Sequence, residues 1–281
     1  MLEAVGEVAD GVGTVVTYNG KSFDVPLIET RFAFHRLDTP FAGMPHIDML
    51  HPARRLWRSE QDGLTSCRLS LLERALCGDV REGDVPGMDI PGRYFQYVRS
   101  GDPRPLSAVL EHNRLDLLSL AILTARAAQM LEEGSVSAST AREALGLGRI
   151  YERAGRMSEA RACFARAAGI DGELRGDVLT RGEALRAFAV LSRRERRYDE
   201  AAHAWRRLLE LGGCAPHTVR EAIEALAIHH EHRVRDLTAA RTFALQSLHY
   251  PATASRREAV HYRLARLDRK IDAAMQMPAL F

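Results

Sequence analysis

Lysine is almost missing from this chain: of 39 basic side chains only Lys21 and Lys270 are not arginine. Arginine takes its place throughout, which reads as a GC-rich coding bias and not as a signal about function. Cysteine is sparse as well. Cys67, Cys77, Cys163 and Cys214 contain no CxxC pair, which excludes a zinc ribbon and a dense disulfide framework. Long apolar runs are lacking: the longest, Leu117 to Leu131, is broken by Ser119, Thr124, Arg126 and Gln129, too polar to cross a bilayer. Met1 to Asp10 carries Glu3, Glu7 and Asp10, with no basic stretch and no apolar core, so it does not read as a signal peptide. These absences predict a protein of the reduced cytoplasm with no membrane partner.

What is present divides in two. Residues 1–134 hold 14 basic and 19 acidic side chains, a balance of −5, whereas residues 135–281 hold 25 and 18, a balance of +7. The basic half suits an acidic partner such as nucleic acid, or simply an arginine-rich solvated helix surface. A small polar stretch, Glu132 to Ser139, separates the halves and reads as a linker.

The first half mixes two kinds of pattern. Gly13 to Tyr18 is β-branched and aromatic and ends at the turn pair Asn19-Gly20, as a strand would. Val25 to Leu37 has helical spacing, His46 to Leu50 reads as a second strand, and Pro52 suits the first turn of a following helix. Leu69 to Leu76 predicts a short helix stopped by Gly78, and Leu106 to Leu131 a long, largely buried one.

The second half is helical throughout and repeats itself. Ala144, Leu147, Gly148, Tyr151, Gly155, Ala160, Phe164 and Ala167 fit tetratricopeptide spacing, with small residues where two helices approach and aromatics filling the gap between them. Leu185 to Leu208 and Ala222 to Leu248 follow as degenerate copies, Ala160, Ala201 and Ala240 lying 41 and 39 residues apart. Glu258 to Ile271 predicts a capping helix.

Chemistry concentrates in two motifs of the first half. One is Asn19 to Leu27, with Phe23 and Asp24 at its centre; the other is His112-Asn113-Arg114-Leu115-Asp116 on the long helix. His112 and Asp116 are four apart and share a helix face, which suits a carboxylate holding a hard cation beside an imidazole taking a proton from water. Taken singly, the same residues suit a surface ion pair, and Asp24 suits a helix N-terminus.

Together the motifs resemble the second and third signatures of the DEDD exonucleases, which share the RNase H-like fold. TYNGKSFDVPLIETR, HIDMLHPARRLWR, LSLLERALCG and LEHNRLDLLSL, in that order and ahead of degenerate repeats, are similar to the bacterial YprB-type family. The resemblance implies an α/β RNase H-like fold over residues 1–134 and an all-α tetratricopeptide-like solenoid over 135–281. It implies 3′-to-5′ phosphodiester hydrolysis with Mg²⁺ or Mn²⁺, Asp24 and Asp116 as metal ligands, His112 as general base, and Asn19 and Phe23 against nucleic acid. The solenoid would hold nucleic acid or a protein partner. In that family an opening strand carries Asp-x-Glu, and no such motif precedes Asn19 here. The expectation is therefore an N-terminally truncated domain lacking its first strands, inactive as it stands, or else a non-catalytic binding scaffold. Three other signals are set aside. Asn19-Gly20-Lys21-Ser22 lacks the upstream glycine of a phosphate-binding loop, His229, His230 and His232 lack a remote fourth ligand, and Asp48 reads as a helix cap.

Overall fold

The computed structural model describes residues 1–58, 64–78, 81 and 84–276. The chain divides into two compact units, Met1–Glu133 and Gly134–Phe281.

The first unit opens with helix α1 (Leu2–Ala9), strand β1 (Val15–Thr17), helix α2 (Asp24–Phe34), strand β2 (His46–Asp48) and helix α3 (Leu50–Leu56). The two strands pair in parallel, Val15 opposite His46 and Thr17 opposite Asp48, with α2 as the crossover that a parallel pair requires. Both strands are shorter than the β-branched runs predict. Asn19 turns into the left-handed region (φ 64°) and ends the first, and Leu50 already donates its N–H to Asp48 Oδ1 (3.1 Å), starting α3. Phe32, Ala53, Leu56 and Trp57 are buried in this part of the unit.

Helix α4 (Leu69–Cys77) is closed by Gly78 at φ 76°, as its sequence predicts. Helix α5 (Ile90–Ser100) lies in a stretch whose glycines and prolines resemble loop punctuation. Its proline falls in the first turn, where a missing N–H costs nothing, and Gly101 at φ 73° ends it. Helix α6 (Arg104–Glu133) is 30 residues long, and α4 and α5 both pack on it.

The second unit is a run of helices: α7 (Ala141–Arg153), α8 (Met157–Ala167), α9 (Val178–Arg194), α10 (Tyr198–Leu211), α11 (Pro216–His229), α12 (Leu237–Ser247) and α13 (Ala254–Gln276), each packed on the next. A π-helical turn, His230–Val234, extends α11. Thr140, Asp177 and Asp236 start α7, α9 and α12 by accepting the N–H of Glu143, Thr180 and Ala239. Gly148 lets two helices touch: a Cβ there would fall 2.4 Å from the Phe164 ring. The residue two before α8, α10 and α12 is in each case left-handed, Gly155, Arg196 and Arg235. Ala160, Ala201 and Ala240, each buried, stand five residues further on. The geometry therefore repeats with the same 41- and 39-residue spacing as the sequence. Among the described residues no helix is long and apolar enough to cross a membrane.

Candidate active site

Helix α6 presents His112 and Asp116 one turn apart, and the chain between α4 and α5 brings Arg81 and Asp84 against them. Asp84 Oδ1 accepts from His112 Nδ1 at 2.6 Å and from the Val85 N–H at 2.9 Å, fixing the ring. The other ring nitrogen, Nε2, lies 3.5 Å from Asp116 Oδ2. Arg81 Nη1 reaches Asp116 Oδ1 at 2.8 Å and Asp84 Oδ2 at 3.5 Å. Behind it, Arg81 Nη2 and Nε both bond Glu73 Oε2 on α4, at 2.6 and 2.9 Å. Ser119, one turn beyond Asp116 on α6, donates to the same carboxylate at 2.6 Å.

A single guanidinium thus links α4, the loop and α6, with its side chain only 6% exposed. Burial by itself would favour a neutral Arg81, but its hydrogen bonds to Glu73 and Asp116 outweigh this and raise its pKa. Burial likewise pushes Glu73 and Asp84 toward protonation. Arg81 and Ser119 around Glu73, and His112 beside Asp84, overcome that and hold both carboxyls below their ordinary values. The network is a string of alternating charge in which every member has an opposite neighbour.

The other motif is arranged around Asp48. Its Oδ1 accepts the Asn19 N–H (2.8 Å) as well as that of Leu50, and its Oδ2 the Lys21 N–H (3.1 Å), so one buried carboxylate holds the Asn19–Lys21 turn and caps α3. Gly20 is required in that turn, because a Cβ would come within 2.6 Å of Thr17 Cβ. The turn delivers Asp24 to the first residue of α2, exposed, with Asn19 and Phe23 also exposed beside it. Tyr18 anchors the strand end by donating its hydroxyl to the Cys67 carbonyl.

The structure joins His112 to Asp116, and among the described residues no hydrogen bond or ion pair joins either to Asp24. Divalent-metal chemistry needs several carboxylate oxygens converging on one point. Here Asp116 faces a guanidinium on one oxygen and an imidazole on the other. Asp48 is spent on backbone N–H groups, and among the described residues no group of three or more His, Cys, Asp or Glu is arranged so that it could hold a metal ion. In this arrangement the described side chains do not fit a pair of cations. The same holds at His229, His230 and His232, whose neighbour Glu231 is turned inward to Arg266 and Lys270.

Glu73, Arg81 and Asp84 escaped the sequence reading. Glu73 stands inside LSLLERALCG, which carried the resemblance but no assigned chemistry, and Arg81 and Asp84 stand in the chain after α4, outside every quoted motif. The one available signal was an Arg and an Asp in the connection leading toward the helix that carries His112 and Asp116.

Residues 1–128 match the family described as the RNase_H superfamily. Over 264 residues the chain is 30% identical to the "Uncharacterized protein YprB" of Bacillus subtilis (strain 168). That alignment covers 92% of this chain and 61% of the relative, so the chain spans about three fifths of the relative's length. No solved structure matches it. The N-terminal region is therefore RNase H-like over residues 1–128.

Proposed function

We propose that this chain derives from a metal-dependent 3′-to-5′ exonuclease of the DEDD type, that residues 1–134 are its RNase H-like domain, and that residues 135–281 form a degenerate tetratricopeptide array holding nucleic acid. The observation that carries the reading is the pair His112 and Asp116 on one face of α6, with Asp84 orienting the ring, inside a domain that matches the RNase_H superfamily. An imidazole held through Nδ1 by Asp84 turns its Nε2 toward Asp116, and in this reading Nε2 is the atom that takes a proton from water. Asp24 and Asp116 are the ligands this reading assigns to Mg²⁺ or Mn²⁺, with Asn19 and Phe23 beside the substrate strand.

The pairing of Asp116 with Arg81 favours a second reading, in which the 281 residues alone bind nucleic acid without cleaving it. The two are separated by incubating the chain with labelled single-stranded DNA and RNA in Mg²⁺ or Mn²⁺. We expect no cleavage above background from these 281 residues. If the DNA ahead of these residues encodes Asp-x-Glu, the chain extended through it is expected to cleave, and to stop on Asp116→Asn. Metal-dependent cleavage by the 281 residues, lost on Asp24→Asn, would overturn the second reading and establish the first for this chain.

A further inference from the structure

The second unit contains a cavity of about 290 Å³ between the end of α9, the start of α10 and the end of α11. Its walls are mostly apolar and include the rings of Tyr198 and His229, the Ile228 side chain and Trp205, the last only 4% exposed. Its rim is basic. Arg193 comes from α9 and Arg233 from the π-helical turn, and among the described residues neither has a carboxylate partner. An acid, Asp199, sits 3.8 Å from His229 Nε2.

The rim is held in place before any ligand arrives. The Arg233 guanidinium lies over the Tyr198 ring, 3.7 Å from its centroid. The turn that carries it is pinned from the other side by Glu231. That side chain is fully buried and bound by Arg266 at 2.7 Å and Lys270 at 3.0 Å. π-helical insertions are uncommon and gather at functional sites. This one turns Glu231 inward while leaving His232 and Arg233 on the cavity. Burial holds His229 below its ordinary pKa, with Asp199 opposing this and Arg206, His230 and Arg233 adding to it.

We propose that this cavity is a nucleotide site, in which one base enters between Tyr198, Ile228 and His229 and its phosphate lies on Arg193 and Arg233. A cavity of this size with ring side chains in its wall suits a single base, and stacking against rings is indifferent to which base is offered. Guanidinium forks match phosphate oxygens two at a time. The +7 balance of residues 135–281 draws in a polyanion. The proposal rests on the nucleic-acid reading above and assigns that reading a place on the second unit.

The test titrates the full chain calorimetrically with AMP, adenosine, inorganic phosphate and a short polyglutamate peptide, and by anisotropy with a labelled single-stranded oligonucleotide. AMP is expected to bind saturably and more tightly than adenosine or phosphate. Arg193→Gln and Arg233→Gln should each weaken it about tenfold, the scale of one lost charge-assisted hydrogen bond. Ala225→Phe, which fills the cavity from α11, should abolish AMP binding; the two arginine variants keep the test open if that protein does not fold. AMP binding that is absent, or unchanged in both arginine variants, overturns the site. If the oligonucleotide still binds the wild-type chain in that case, the nucleic-acid reading survives and only its placement fails. Polyglutamate binding in preference to AMP overturns the nucleotide assignment in favour of an acidic peptide.

Discussion

Arg81 holds three carboxylates at once, and its replacement separates their roles. Removing one partner of a buried ion pair leaves the other charged and desolvated, a loss on the order of 3–5 kcal/mol. Glu73→Gln is therefore expected to destabilise the first unit at neutral pH by several kcal/mol, read from chemical denaturation of the full chain. A drop no larger than that of a surface substitution would show that Asp116 alone suffices for Arg81. The pH dependence follows from the same pairs. Glu73 and Asp84 have pKa values lowered in the fold, so each adds stability above its unfolded value of about 4 and loses it as pH falls through the folded value. The melting temperature should fall below about pH 4, and Glu73→Gln should flatten that fall. An unchanged acid limb in the variant would assign the loss to other carboxylates.

Helix ends carry the next level of the design. Gly155 closes α7 with the Arg156 N–H on the Tyr151 carbonyl (2.9 Å) and its own N–H on Glu152 (3.2 Å), a Schellman closure. Arg196 makes the same closure on α9 through Arg197 to Ser192 (2.8 Å), with φ 63° that a side chain adopts only at a cost of about 1–2 kcal/mol. Arg196→Gly is thus expected to stabilise the second unit by about 1 kcal/mol, part of the strain relief being offset by the freer unfolded chain. Loss of stability would mean that the Arg196 side chain contributes more than its backbone costs. Gly148 has the opposite sensitivity. Nothing larger fits against Phe164, and Gly148→Ala should cost on the order of 1–3 kcal/mol despite the better helix propensity of alanine.

Across the whole molecule the uneven charge sets the behaviour toward polyanions. Binding of single-stranded nucleic acid by the full chain should weaken steeply with salt, because each phosphate neutralised by an arginine releases a counterion. Several such contacts imply a loss of roughly tenfold or more between about 50 and 200 mM salt. Affinity indifferent to salt would remove the electrostatic basis of the reading and leave the helical array as a surface for proteins.

Short-range grammar was legible in the sequence alone. A β-branched run ending at Asn19-Gly20 and a short run closed by His51-Pro52 placed the two strands, Gly78 stopped α4, and the recurrence of Ala160, Ala201 and Ala240 marked the repeating helix pairs. It also placed His112 and Asp116 on one helix face, since a spacing of four admits nothing else once a helix forms. What it left open was every relation between residues far apart in the chain. That Arg81 would turn onto Asp116 and Glu73 and that Asp84 would seize His112 depend on how α4, the following chain and α6 converge, and that Asp48 would hold a turn 27 to 29 residues away depends on the pairing of β1 with β2. Helix ends and spacings are decided by a residue and its near neighbours, whereas a charge buried among helices takes whichever opposite charge the packing brings within reach.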